Sequence, residues 1–445
     1  MRESSPLTLG GVRWWAGPEI DAARLRALVE AARAALAAGA PDQKSGRRKE
    51  SFLLALEAAM PDYLLKVNHY ESLAPWRRLR RSKARAELAR ATLLAARGIP
   101  TPIPIAAGEL RRAGLLVCCY GLVRWLPDAT DLLRVWTEAR DGAASRRAWT
   151  HELGVLVRRM HDAGVHQEDL APNNFLWRAS QEPRLLAIDF ERTRVGGRVT
   201  ARERVFALAK LDRHFAGAPA SARMRWLLAY ADGSRESARR WWRDVAGFAP
   251  QLARHDLKHW QRTATRPGRR FDVLEIEAAG VVWRGFARRG APIETLGVLL
   301  ARDLPNASVQ PAPTLLVRRF EALRRREAAA TWGLAQMLYQ RRLMPEPLAL
   351  LRSPDAAALV LKRSGDLVSL ADAPAAERHA ALVVAIDRLR VLGVDITRSS
   401  VDAFAFSRQQ RRVLLLDPTL CGLGRVAADG GRATAREWAT RLLGC

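Results

Sequence analysis

HQEDLAPNNFLW, residues 166–177, sets two adjacent acids, a proline and two adjacent amides close together and then turns apolar. Asp169 and Asn174 stand five residues apart, directly before Phe175, Leu176 and Trp177. An apolar run in that place can anchor a loop in a core and keep its polar tips fixed. Taken singly, Asp169 reads as a turn acid and Asn174 as a turn former, because both side chains hydrogen-bond nearby backbone. Their surroundings give them a second meaning.

Working outward, RRAWTHELGVLVRRMHDAG (146–164) has the apolar spacing of an amphipathic helix ending at Gly164. RLLAIDFERTR (184–194) reads as a strand running into a turn, with Asp189 near its end. LLVCCYGLVRWL (115–126) reads as a buried strand. Ser82 is placed to cap a helix through Arg97 that carries Glu87 and is stopped by GIPTP at 98–102. SFLLALEAAM and DYLLKVNHY read as paired strands, the second holding a lone Lys66, and residues 20–39 as a helix ending at Gly39. Helices such as VFALAKLDRHF and MRWLLAYADG continue to about residue 262, and WQRTATRPGRR (260–270) reads as a linker.

This order predicts an α+β, bilobed protein-kinase-like fold: a strand-rich small lobe over about 8–125 and a helical lobe over about 126–265. Phosphoryl transfer needs a triphosphate held, its charge offset and a hydroxyl aimed in line. Lys66 is the candidate for the α/β-phosphates, and Glu87 for holding Lys66. Asp169 is the candidate base, and Asn174 and Asp189 are the candidate Mg²⁺ ligands through hard oxygens. KSGRRKES (44–51), with Ser45 and Gly46, is the candidate phosphate-binding turn, although it contains one glycine. Each has a plain alternative: Lys66 a surface lysine, Glu87 a helix-face partner of Lys83 or Arg90, Asp189 a strand cap.

Composition bounds the reading. A chain of 445 residues, 49% hydrophobic, is globular and long enough for two or three domains. Cys118, Cys119, Cys421 and Cys445 form neither a zinc spacing nor a disulfide framework, which points to a reducing compartment. No run approaches the ~18 apolar residues of a membrane span, and MRESSPLTLGG lacks a signal-peptide core. A cytoplasmic protein is expected. The net charge of +27 draws the chain toward polyanions. WRRLRRSKAR (76–85) is the densest basic run, either a phosphate-binding face or the wet side of a helix.

Residues of about 40–262 resemble the lipopolysaccharide core kinases, the Kdo and heptose kinases of Gram-negative bacteria. The resemblance is carried by YLLKVN (63–68), SKARAELARATLLAARGIPTPIPIA (82–106), MHDAGVHQEDLAPNNFLW (160–177), LLAIDFERTR (185–194) and LAKLDRHF (208–215). It implies a kinase fold, ATP and Mg²⁺ as cofactors, and a sugar hydroxyl of an anionic glycolipid as acceptor. Peripheral contact with the inner membrane surface is expected, and nucleic acid is not the expected partner. Gln167 stands where the family pattern has His two before the catalytic Asp, and Gln can still hydrogen-bond the loop.

The second half carries an echo of the first. DRLRVLGVDITRSSVDAFAFSRQQRRVLLLDPTLCGLG (387–424) aligns with the loop region, setting Arg398 against Asp169, Ala403 against Asn174 and Asp417 against Asp189. TLLVRRF (314–320) sits where DYLLKVN does, with Val317 taken opposite Lys66 and Trp332 opposite Glu87. AGVVWRG (279–285) echoes GGVRWWAG (10–17). The expected organisation is a catalytic domain over 1–265 and a degenerate kinase-like domain over 271–445. Two other functions stay open: a kinase acting on protein Ser/Thr or a small alcohol, and a non-catalytic basic scaffold gripping membrane or nucleic acid.

Overall fold

The computed structural model describes residues 5–443 except 39–42, 47–48, 57–60, 139–142, 216–219, 269, 301–308, 312–314, 322, 342, 393, 395, 397–398 and 419–434. By its contacts the chain divides into two units: Met1–Leu211 with Pro219–Arg243, and Asp212–Ala218 with Asp244–Cys445.

The first unit opens with β1 (Leu7–Leu9), β2 (Val12–Ala16) and helix α1 (Ala22–Ala38). A hairpin of β3 (Gln43–Gly46) and β4 (Lys49–Leu54) leads to β5 (Tyr63–His69). Helices α2 (Pro75–Arg78) and α3 (Lys83–Ala96) precede β6 (Pro104–Arg112) and β7 (Leu115–Arg124). Among the described residues these strands form one sheet in the order β1-β2-β6-β7-β5-β4-β3. Strand alternation assigns the faces. Tyr63, Leu65 and Val67 enter a core with Trp14, Leu25, Leu28 and Phe52. The period of two turns Leu64, Lys66 and Asn68 to the opposite face, where α3 lies. Ser82 caps α3, its hydroxyl accepting from the Arg85 amide at 3.1 Å.

The helical lobe runs through β8 (Ala129–Asp131), α4 (Leu132–Glu138), α5 (Ala143–Asp162), β9 (Val165–Gln167), β10 (Phe175–Arg178), β11 (Leu185–Ala187), β12 (Thr193–Val195), α6 (Ala201–Asp212), α7 (Ala220–Tyr230) and the start of α8 (Arg235–Ala264), whose residues from Asp244 on belong to the second unit. Two small sheets, β11-β10-β8 and β12-β9, frame the 166–177 loop. Helices α5 and α7 touch backbone to side at Gly154, where a Cβ would lie 2.2 Å from the Trp226 carbonyl oxygen. The stretch 260–270 is not wholly a linker, because α8 continues to Ala264. No helix breaker occurs there before Pro267 and Gly268.

The second unit contains β13 (Phe271–Ala278), β14 (Val281–Arg288), α9 (Ile293–Leu300), β15 (Val309–Pro311), β16 (Leu315–Glu321), α10 (Arg325–Gln340), β17 (Pro347–Arg352) and β18 (Ala356–Lys362). Their sheet order is β13-β14-β17-β18-β16-β15, the sequence β1-β2-β6-β7-β5-β4 over again. After β19 (Leu367–Ser369) and α11 (Ala375–Val391) come β20 (Phe404–Ser407), β21 (Arg412–Leu415) and α12 (Ala435–Leu443). The order β19-β20-β21 matches β8-β10-β11. Both opening hairpins turn on two residues of positive φ, Gly10–Gly11 and Ala279–Gly280.

That shared order corrects two pairings. Strands β5 and β16 are each seven residues long, and counting along them sets Lys66 opposite Arg318, not Val317. Val317 packs in a core beside Leu315 and Trp283, as Leu65 packs beside Tyr63 and Trp14. A slip of one residue in a strand exchanges its faces, so this core position decides the register. Helices α3 and α10 end alike, with Ile99 N donating to Leu94 O and Leu343 N to Leu338 O. Glu87 therefore meets Thr331. Trp332, one residue on, is buried, its indole donating to the Ala264 carbonyl at 3.0 Å. Arg398 lies outside the described residues.

Candidate active site

A cleft of about 590 Å³ in the first unit is lined by Lys66, Lys83, Glu87, Asn174 and Asp189 among others, with Lys49, Glu50 and Ser51 of β4 on one wall. Lys66 Nζ lies 3.6 Å from Glu87 Oε1. Lys83, one helical turn before Glu87, lies 3.5 Å from Asp189 Oδ1 and 2.7 Å from Glu191 Oε2. Burial pulls the Lys83 pKa down, but Glu191, Asp189 and Glu87 together hold it above the ordinary lysine value. Buried Glu109 fixes the start of α3 by accepting from the Ser82 amide and from Arg111, both at 2.9 Å. Burial raises the Glu109 pKa, and those two partners outweigh it and keep the carboxyl below its ordinary range.

The loop that opens with His166 is built from inside. Phe175 and Trp177 are buried, and β10 pairs with β11 so that Phe175 faces Ala187. Residues Pro172–Asn174 form a 3₁₀ turn. The Asn174 amide donates to the Asp169 carbonyl at 2.6 Å, which leaves its Oδ1 as an acceptor, and Ile188 N donates to Asn174 O at 2.8 Å. Gln167 donates to the carbonyls of Ile188 and Asp189 at 3.2 and 3.0 Å, so the residue in the His place ties the two loops together. Asp189 has φ +57°, a left-handed conformation uncommon outside glycine. Gln167 grips one side of it. Arg90 grips the carbonyls of Phe190 and Glu191 at 3.1 and 2.9 Å on the other. Such over-determined backbone aims the Asp189 carboxylate into the cleft.

Of the residues singled out in the sequence, Lys66, Glu87, Asn174 and Asp189 share this cleft. Asp169 is not part of its lining. The side chain is 66% exposed and stands 3.6 Å from Lys210 Nζ, and Lys210 also donates to the Glu168 carbonyl. Ser45 and Gly46 lie in β3, with Gly46 paired to Lys49 across the hairpin. Lys83 and Lys210 escaped the sequence reading as site residues. In the sequence Lys83 stands as a helix partner of Glu87 and as one residue of the basic run 76–85, and Lys210 inside LAKLDRHF.

The donors fit a hard divalent cation. Asn174 Oδ1 and the Asp189 carboxylate offer oxygen donors on facing loops, and the Lys83 ammonium lies beside Asp189 as its counter-cation. Among the described residues no group of three or more His, Cys, Asp or Glu could hold a metal. A Mg²⁺ site that shares its shell with substrate phosphates needs no such group.

A two-lobed fold with a paired strand lysine, an Asp–Asn loop and an aimed acid defines a kinase-type phosphotransferase. Residues 64–243 match the model of the lipopolysaccharide kinase (Kdo/WaaP) family. Members of that family are kinases that phosphorylate sugar hydroxyls of lipopolysaccharide, and ATP use follows from that class. A solved structure titled "WaaP in complex with acyl carrier protein" is similar at 22% identity and a TM-score of 0.40. That match covers 55% of this chain and 97% of the other. No curated protein matches. Among the described residues, no helix is long and apolar enough to cross a membrane.

Proposed function

We propose that the first unit transfers the γ-phosphoryl group of ATP to a sugar hydroxyl of the lipopolysaccharide core, with Asp169 as base. The carrying observation is the meeting of Lys66, Glu87, Asn174 and Asp189 on one cleft with Asp169 tied to Asn174. Lys66 contacts the phosphates and Glu87 orients it. The β3–β4 hairpin with Ser45 and Gly46 covers the phosphates from above. Asn174 and Asp189 hold Mg²⁺, which when bound offsets phosphate charge. Asp169 accepts the proton of the sugar hydroxyl as the sugar oxygen bonds to the γ-phosphorus and the bond to the β–γ bridging oxygen breaks, releasing ADP, and Lys210 keeps the Asp169 carboxylate in place. The acceptor is an anionic glycolipid met at the cytoplasmic surface of the inner membrane. Incubation with Mg·ATP and purified core glycolipid, read by mass, should show the gain of one phosphate. No gain on any core glycolipid, with transfer to protein or small alcohols instead, would overturn the acceptor. No Mg·ATP binding at all would favour a scaffold.

The second unit reads as a degenerate kinase-like copy without phosphotransfer, and the functional boundary stays at 265–271, where the strand order restarts. Strand order and loop hydrogen bonds both support the copy: Leu416 N donates to Ala403 O at 2.6 Å, as Ile188 N does to Asn174 O. In the copy Ala403 has no ligand atom and Thr331 replaces Glu87. Arg318, in the Lys66 place, forms a buried ion pair with Asp417, in the Asp189 place, at 3.3 Å. This pair fills the position that phosphate and metal take in the first unit. A chain with Lys66→Met and Asp189→Ala should bind no fluorescent ATP analogue. Retained stoichiometric binding would assign a working nucleotide site to the second unit.

A further inference from the structure

The basic segment between β5 and α3 is not used by the site above. It holds two of the most exposed large apolar side chains of the described chain, Trp76 at 66% and Leu79 at 63%. Arg77, Arg80 and Arg81, all exposed, alternate with them. The segment is short but firmly held. Arg78 Nε donates to the Leu116 carbonyl at 2.9 Å. Arg111 donates to the carbonyls of Arg78 and Arg80 at 3.2 and 2.9 Å. Glu109, buried, anchors both Arg111 and the Ser82 amide that starts α3. Fold stability therefore does not need Trp76 or Leu79 to be apolar, yet the backbone presents them rigidly outward.

We infer that residues 76–81 dock the first unit onto an anionic lipid bilayer. An indole and a leucyl side chain enter the interface between headgroups and acyl chains while arginines alongside meet lipid phosphates. A nucleic-acid surface would use the arginines but would leave Leu79 without a reason to be apolar. Each basic side chain at such a surface contributes about fivefold to partitioning, so three contribute roughly a hundredfold. The segment runs directly into α3, which carries Lys83 and Glu87. Docking through it holds the cleft beside a lipid-borne acceptor. In that last respect the inference rests on the proposed lipopolysaccharide kinase reading.

The test uses the full chain and co-sedimentation with vesicles free of lipopolysaccharide, of phosphatidylcholine alone or with phosphatidylglycerol. The wild type should sediment with the anionic vesicles, weakly with the neutral ones, and less as salt is raised. Trp76→Ser with Leu79→Ser should weaken anionic-vesicle binding at least tenfold, and Arg77→Glu with Arg80→Glu more, both with unchanged melting temperature. Equal binding of the wild type to both vesicle types would overturn the inference. So would wild-type binding by both variants, or binding that appears only when lipid A is added, since the segment would then be an acceptor subsite. Phosphotransfer to detergent-dispersed acceptor reports the kinase reading separately. The Trp76/Leu79 variant should keep that activity and lose it on acceptor embedded in anionic vesicles.

Discussion

Replacing Asp169 by Asn tests the chemistry with the least disturbance of the fold. Asn keeps the shape of the side chain and removes its capacity to accept a proton at neutral pH. The Asp169 carbonyl, which takes the Asn174 amide at 2.6 Å, is backbone and survives the change. The lost attraction to Lys210 at 3.6 Å belongs to a largely exposed carboxylate, and such pairs are worth about 0–1 kcal/mol. Stability should thus change by roughly 1 kcal/mol or less. Removing a general base costs about 10²–10⁴ in rate, equivalent to about 2.7–5.5 kcal/mol of transition-state stabilisation. Because Asp169 does not line the cleft proposed to hold the nucleotide, the loss should fall on kcat while the KM for ATP stays near the wild-type value. The assay is transfer of labelled γ-phosphate to core glycolipid, beside a thermal melt. Turnover within threefold of wild type would refute the base assignment. A loss of activity accompanied by a large fall in melting temperature would show that the residue is structural.

Asp189→Ala should raise the Mg²⁺ concentration needed for half-maximal activity more than it raises the KM for the acceptor; unchanged Mg²⁺ dependence would move the metal site elsewhere. Buried His161, bonded to the Tyr230 hydroxyl at 2.8 Å, has its pKa pushed down to about 3 by burial first, then by Arg204 and His166. The unfolded chain takes up this proton below about pH 6.5 and the folded chain does not, so stability falls as pH drops through that value toward 3. The loss at pH 5 is about 2 kcal/mol, and His161→Gln should flatten that part of the urea-denaturation profile; an identical profile in the variant would exclude His161 as its source. Gly154→Ala should destabilise the first unit by about 1–3 kcal/mol, because its Cβ would fall 2.2 Å from the Trp226 carbonyl oxygen; a variant as stable as wild type would show that α5 and α7 can part at no cost.

Local chemistry made much of this molecule legible in its sequence. The Ser82 cap, the end of α5 before Gly164 and the apolar anchor after Asn174 are short-range patterns, and short-range patterns leave a mark on neighbouring residues. The spacing of Asp169, Asn174 and Asp189 belongs to the same kind, since one loop and one hairpin join them. Tertiary structure decided what those residues face. Lys83 reaches Asp189 and Lys210 reaches Asp169 only because α3 and α6 are brought to the loops by folding, and neither pairing is written in any local spacing. The second unit shows the limit most plainly. Its likeness to the first was readable in TLLVRRF, but the choice between Val317 and Arg318 opposite Lys66 turned on a single residue of strand register. A β-strand reverses its faces with every residue, so only the packed core beneath it shows which side chain points in, and there Val317 meets Trp283 while Arg318 turns to Asp417.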